Sequence, residues 1–391
     1  MSPAAPKPGT DQVSKLFAGS RLTLARHLAG LRKSELADLI GKTPTAIGAY
    51  ESERKRPASV TVAQLCVALG VEPAFFLPSS VTASSLPHSV VPNFRSLRAT
   101  SQLARDQAAA YGAVVHEIVS VFERHVEMPV VDVPVYPVDI KEDPAFQDSI
   151  RAAVDQLRKT WAMDAEPINH VLRLAENHGI VSVFSPFQVA GVDAYSFQTQ
   201  PRPIIIMNPL KGDYYRQRFD LAHEIGHLVM HGDAEPGNHV VERQAHRFAA
   251  ELLMPREVVE VQLPRRLLWP RLLALKEYWG VSLQALLYRA RELGIYSDTT
   301  YRNAMKRISK EGWRRQEPGA RPNIEEPSLL PKALQLLENA AVPALRLAAE
   351  ARVPMNLFSI ATSRNLESVG GFSSTASGAE GTHAARPVSV L

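Results

Sequence analysis

A single cysteine, Cys66, stands among the 391 residues. No disulfide can close within the chain, and any metal must be held by His, Asp or Glu. Cys66 lies in the apolar run Leu65-Cys66-Val67-Ala68-Leu69 and reads as a small buried hydrophobe. Long hydrophobic runs are missing too: no stretch reaches the roughly 20 apolar residues that span a bilayer. Met1 to Asp11 lacks the apolar centre of a signal peptide, so the expectation is a cytoplasmic protein with no membrane partner. The excess of one charge sign is small, with a formal net charge of +4. With 45% hydrophobic and 21% charged residues, the composition is that of a soluble globular protein, and the length allows two or three domains.

The charge is unevenly spread. Residues 1–78 hold ten Lys or Arg against six acids, and a basic excess in one small region points to a polyanionic partner. Here Ser34-Glu35-Leu36-Ala37-Asp38-Leu39-Ile40 buries Leu36, Ala37 and Ile40 at helical spacing. Gly41 then turns the chain, and Thr43-Pro44 fits an N-cap followed by proline at the first helical position. A short second helix follows from Thr45. Helix, glycine turn, helix is the arrangement whose second helix enters the major groove of double-stranded DNA. Residues 34–71 resemble the DNA-binding domain of the Xre/Cro repressors in the Leu-Ala pair, the turn glycine, Tyr50-Glu51, the basic run before Pro57 and the final Ala-Leu-Gly-Val. Residues 14–78 break into short amphipathic segments that read as one five-helix domain of this kind, and a homodimer is expected. The resemblance implies that Thr43, Thr45, Ala46 and Ala49 face bases while Lys33, Arg54 and Arg56 hold phosphates. The second helix lacks Arg, Asn and Gln, so readout would rest on methyl contacts or DNA shape. Arg32 stands where these repressors often have a capping Ser or Thr.

Between 77 and 92 the chain turns rich in Ser, Pro and Val, a hinge that opens a linker region at 79–150. Periodicity predicts a long helix over 101–126 and an extended segment over 131–137, where prolines disfavour helix. Helices are expected at 146–164 and 168–178, and strands at 179–184 and 203–207. Residues 192–197 alternate as an edge strand does.

The most specific motif is His223-Glu224-Ile225-Gly226-His227. Two imidazoles four residues apart on a helix share a face and can reach one ion, while Glu224 can approach a water held by that ion. The helix is expected to begin near Tyr215 and end at His231-Gly232. His231 lies two turns, about 11–12 Å, from His223, so the two cannot bind one zinc; it reads as a helix-end residue. The metzincin pattern fails at Met230 and Asp233, which replace its glycine and third histidine. A third ligand must come from later residues. Glu242, in the first turn of a helix expected over 241–255, completes a His2Glu set with an open position. Glu251, His239 and Glu235 are its rivals.

The runs "RFDLAHEIGHLVMHG" and "ERQAHRFAAELLMP" resemble the ImmA/IrrE zinc peptidases, whose members cleave or inactivate repressors. The resemblance implies a zincin-like domain at 151–262 and Zn2+ as cofactor. It implies Glu242 as the third ligand and Glu224 as the general base that passes a proton to the leaving amine. His246 stands where those proteins have Asn or Asp. An oxyanion donor is not assignable among Tyr195, Tyr214, Tyr215, Arg218 and His239. Segments like Asn93–Arg98 and Gly312–Pro318 also accompany peptidases of this kind that are joined to an Xre/Cro domain. A helical accessory region at 263–325, then an amphipathic helix and a disordered tail at 326–391, complete the expected fold, mainly α with a small β-sheet (α+β). The function expected is a DNA-binding regulator with an endopeptidase domain acting on a protein substrate, a repressor or itself. Two alternatives remain: a sensor whose metal pocket does not hydrolyse, and a protease whose helix-turn-helix only docks a repressor.

Overall fold

A computed structural model of the chain describes residues 8–78, 101–140, 146–187, 194–209, 212–232 and 238–364. The Ser/Pro-rich hinge, the Asn93–Arg98 segment, Val192 and Asp193, Asp233, Glu235 and the tail beyond Arg364 lie outside the described residues. By its contacts the chain divides into two units.

The first unit begins with five short helices, α1 (Thr10–Lys15), α2 (Gly19–Leu28), α3 (Lys33–Leu39), α4 (Pro44–Glu51) and α5 (Ser59–Leu69), closed by a 3-10 turn at Pro73–Phe76. Thr43 caps α4 by accepting from Ala46 N at 3.2 Å. Arg32 has no capping hydroxyl; instead Glu35 accepts from its backbone N–H at 2.5 Å, half of a capping box. Leu36, Ala37, Ile40, Ile47 and Tyr50 are buried, so α3 and α4 pack as the spacing predicts. Cys66 differs from expectation: it is half-buried, because α5 is apolar on several sides and leaves Val60 and Val67 exposed. Burial still pushes its thiol up to about 11, which keeps it neutral.

The long helix α6 (Gln102–His125) matches its predicted span, capped by Ser101. It lies in the 79–150 region, expected to hold a linker and a long helix, and packs against α2. The buried Arg21 of α2 meets Glu117 of α6 at 2.5 Å and also donates to the carbonyls of Phe75 and Arg352. Residues from Ala333 onward belong to this unit as well.

The second unit contains α7 (Phe146–Thr160), α8 (Val171–Asn177) and strands β1 (Val181–Phe184), β2 (Ala194–Phe197) and β3 (Ile204–Met207). The sheet order is β1-β3-β2. β1 runs parallel to β3 with Val181 opposite Ile204, and β2 runs antiparallel with Ala194 opposite Met207. Among the described residues β2 lies at the edge of this sheet, but all four of its residues are buried, where alternation predicts one exposed face. Two long helices, α9 (Tyr214–Met230) and α10 (His239–Leu253), follow, then α11 (Arg256–Gln262), α12 (Trp269–Trp279), α13 (Leu283–Glu292) and α14 (Asp298–Lys310). Where one amphipathic helix was expected after 326, three short ones form: α15 (Leu329–Asn339), α16 (Ala344–Ala351) and α17 (Met355–Ala361). They break at Ala341-Val342-Pro343 and at Arg352-Val353-Pro354, since each proline disfavours helix in the residue before it. No described helix is long and apolar enough to cross a membrane.

Two buried ion pairs tie the accessory helices to the unit. Lys276 meets Glu317 at 3.2 Å and lies 3.3 Å from the Tyr215 ring centroid. Glu317, from the Gly312–Pro318 segment, accepts from Leu283 N at the start of α13. Arg218 pairs with Glu325 at 2.6 Å, both side chains at most 3% exposed, and also donates to the carbonyls of Gly280 and Ile168. Burial works against the Glu325 charge, but His170, Arg218 and the Leu172 amide outweigh it and hold the carboxyl below its usual range. Arg218→Met therefore strands a buried carboxylate and should destabilise the second unit by about 3–5 kcal/mol. Urea unfolding followed by tryptophan fluorescence measures this; a loss under about 1 kcal/mol would contradict the buried-pair assignment.

Candidate metal centre

Asp213 starts α9 by accepting from the backbone N–H groups of Tyr215 and Arg216 at 3.0 and 3.2 Å. Asn238 does the same for α10 through Val240 N at 2.9 Å. The two helices pack closely, and Gly226 shows why: a Cβ there would lie 2.9 Å from the Phe248 ring. The glycine inside His223–His227 thus lets α10 approach, and the first turn of α10 comes to face the two histidines.

Three donor groups converge at that crossing. His223 Nε2 lies 3.1 Å from His227 Nε2 and 3.2 Å from Glu242 Oε2; His227 Nε2 lies 3.5 Å from Glu242 Oε1. Ligand bonds of about 2.0–2.1 Å in a tetrahedron set neighbouring donors roughly 3.3 Å apart, so this spacing fits zinc. Glu242 Oε1 is buried and accepts no hydrogen bond among the described residues, and a cation would satisfy it. Burial, then neighbouring His223, holds His227 well below its ordinary pKa despite Glu242. The neutral ring is the form that ligates. Among the described residues, His223, His227 and Glu242 form the one group with metal-holding geometry.

Glu224 is not part of that trio. It is buried, and Ser196 Oγ of β2 donates to its Oε2 at 2.7 Å. Of the rivals for third ligand, Glu251 and His239 lie elsewhere, and Glu235 falls outside the described residues. Glu251 accepts from Arg289 and from Arg256 N, and His239 opens α10 outside the converging group. His246 sits against the rings of Phe219 and Tyr288. Of the oxyanion candidates, Arg218 is committed to Glu325, and the Tyr215 hydroxyl donates to Gly319 O at 2.8 Å. Behind His227, His231 ends α9; its Nδ1 is 3.2 Å from His227 Nδ1 and its Nε2 2.9 Å from Gln244 Oε1. Sequence reasoning missed Ser196 and Gln244, which carry no motif of their own.

On the first unit, Lys33, Thr43, Thr45, Arg54 and Arg56 are exposed, whereas Ala46 and Ala49 are half-buried. Lys33 Nζ is 3.1 Å from Glu51, Arg54 Nε donates to Ser52 Oγ and Arg56 donates to Lys15 O.

Two family models match the chain. Residues 22–76 match the helix-turn-helix model, and residues 175–291 match the IrrE N-terminal-like domain. No curated protein matches it. The second match holds His223, Glu224, His227, Glu242 and Ser196; the first holds every residue proposed to touch DNA. The chain thus joins a helix-turn-helix DNA-binding domain to an IrrE N-terminal-like, metallopeptidase-type domain, in that order.

Proposed function

We propose that the chain is a transcriptional regulator whose second unit is a zinc-dependent endopeptidase. The observation that carries this reading is the convergence of His223, His227 and Glu242 beside a buried carboxylate that stands outside the trio. A purely structural site has no use for Glu224 in that position. When bound, zinc supplies Lewis acidity, polarising a carbonyl and acidifying a water. Glu224, oriented by Ser196, takes the proton of the attacking water and delivers it to the departing amine. The edge position of β2 suits an extended peptide added alongside it by strand pairing. The substrate is a repressor or the chain itself. Elemental analysis should find about one zinc per chain. Incubating the zinc-loaded protein, alone and with a co-expressed helix-turn-helix repressor, should yield new amino termini by mass spectrometry, and chelation should abolish them. Zinc without any new terminus would favour a sensor.

The first unit binds double-stranded DNA as a homodimer, with two copies of α4 on two half-sites. Thr43, Thr45, Ala46 and Ala49 face bases, and Lys33, Arg54 and Arg56 face phosphates. The two alanines carry methyl contacts only, so specificity rests on thymine methyls and groove shape. Replacing Lys33 and Arg54 together with alanine should lower the slope of log affinity against log salt by about 0.9 per lost phosphate contact. Gel shifts over a salt series measure it, and an unchanged slope removes both residues from the interface. Failure of the unaltered chain to bind its own promoter DNA would favour docking of a repressor.

A further inference from the structure

A line of hydrogen bonds runs behind His227, and its direction can be read from its far end. Gln244 Nε2 donates to the backbone carbonyl of Asp139 at 2.9 Å. A carbonyl only accepts, so the amide nitrogen must point there and the amide oxygen must face His231. Reversing the amide would set two acceptor oxygens against each other. Gln244 Oε1 lies 2.9 Å from His231 Nε2, so His231 carries its hydrogen on Nε2 and a lone pair on Nδ1. That lone pair lies 3.2 Å from His227 Nδ1. One of two nitrogens in such contact must donate, so the hydrogen of His227 sits on Nδ1 and its Nε2 keeps a lone pair. That Nε2 faces His223 Nε2 and Glu242 Oε1 at 3.1 and 3.5 Å.

We propose that Gln244 and His231 are positioning residues that fix the tautomer of His227, so that its Nε2 lone pair is presented to the cation before the ion arrives. The inference rests on reading His227 as a zinc ligand. Both positioning side chains are buried, at 0% and 4% exposure, and they join α9, α10 and the extended segment at Asp139 into one support. A second histidine in this role is unusual in kind: the partner that orients a ligand ring is more often a carboxylate, a backbone carbonyl or water. Here a neutral ring does the work, and it accepts only because Gln244 occupies its other nitrogen.

The test uses the full chain with uniformly 15N-labelled histidine. Long-range 1H–15N spectra of the metal-free protein should show His227 as the Nδ1–H tautomer and His231 as the Nε2–H tautomer. His227 protonated on Nε2 would overturn the proposal without reference to any variant. Zinc affinity, measured with Zn2+ against a competing chelator dye, should fall about 10- to 100-fold in His231→Phe. His231→Asn, whose side-chain oxygen can accept from His227 Nδ1, should restore most of that loss. In Gln244→Leu the His231 signals should split between tautomers. Zinc affinity within twofold of the unaltered chain in His231→Phe, with unmoved His227 nitrogen shifts, would reject the positioning role and leave His227 a ligand. Absence of zinc binding in the unaltered chain would instead reject the metal reading, while the spectra still decide the tautomer.

Discussion

Glu224→Gln should slow peptide-bond hydrolysis by about 100- to 10,000-fold, the usual contribution of a positioned general base, and release no zinc. The amide has nearly the same shape as the carboxylate and keeps an oxygen that can accept from Ser196 Oγ, now 2.7 Å from Oε2. What it loses is the ability to take a proton. Glu224 lies outside the converging trio, so metal content should stay at that of the unaltered chain. Single-turnover cleavage and elemental analysis on one preparation measure both quantities. Hydrolysis at the original rate would remove Glu224 from the mechanism, and loss of zinc would mean that it ligates.

Glu242→Ala should behave in the opposite way, losing the metal first and activity as a consequence. Alanine leaves two neutral imidazoles and removes the negative donor that faces both of them at 3.2 and 3.5 Å. The expected loss of zinc affinity exceeds the roughly 10- to 100-fold typical of residues that only support a ligand. Glu251→Ala is the matching control. Its carboxylate serves Arg289 and the Arg256 amide, so that variant should lose stability and keep its zinc. Full zinc retention by Glu242→Ala would eliminate the third-ligand assignment.

The parts of this site that were legible in the sequence are those set by local geometry. His223 and His227 share a helix face because they are four residues apart, and α9 begins at Tyr214, one residue before the expected start. Glu242 is legible because a turn and a second helix bring the chain back. Long-range pairings left no such trace. Ser196 meets Glu224 across 28 residues, and Gln244 meets the Asp139 carbonyl across 105. A backbone carbonyl has no residue signature, and an isolated serine or glutamine has a weak one. The parallel register of β1 on β3, with Val181 opposite Ile204, is likewise a long-range pairing that strand alternation does not encode. The half-burial of Cys66 escapes the sequence for a related reason: in a helix with apolar residues on several sides, periodicity does not say which face turns inward.

The Arg21 clasp bears on what a protein cut could accomplish. Arg21 holds Glu117, which lies 96 residues away, and the Arg352 carbonyl, which lies 331 away. The amino-terminal helices are thus fastened to segments that lie beyond residues 79–100 in the chain. Scission anywhere in 79–100 would yield two polypeptides that remain clasped, much as a nicked protein keeps its shape. Such a cut alone would not set the DNA-binding helices loose. Release would also require breaking a buried ion pair, so a single clip there would work as a latch being loosened, with some second event needed to open it.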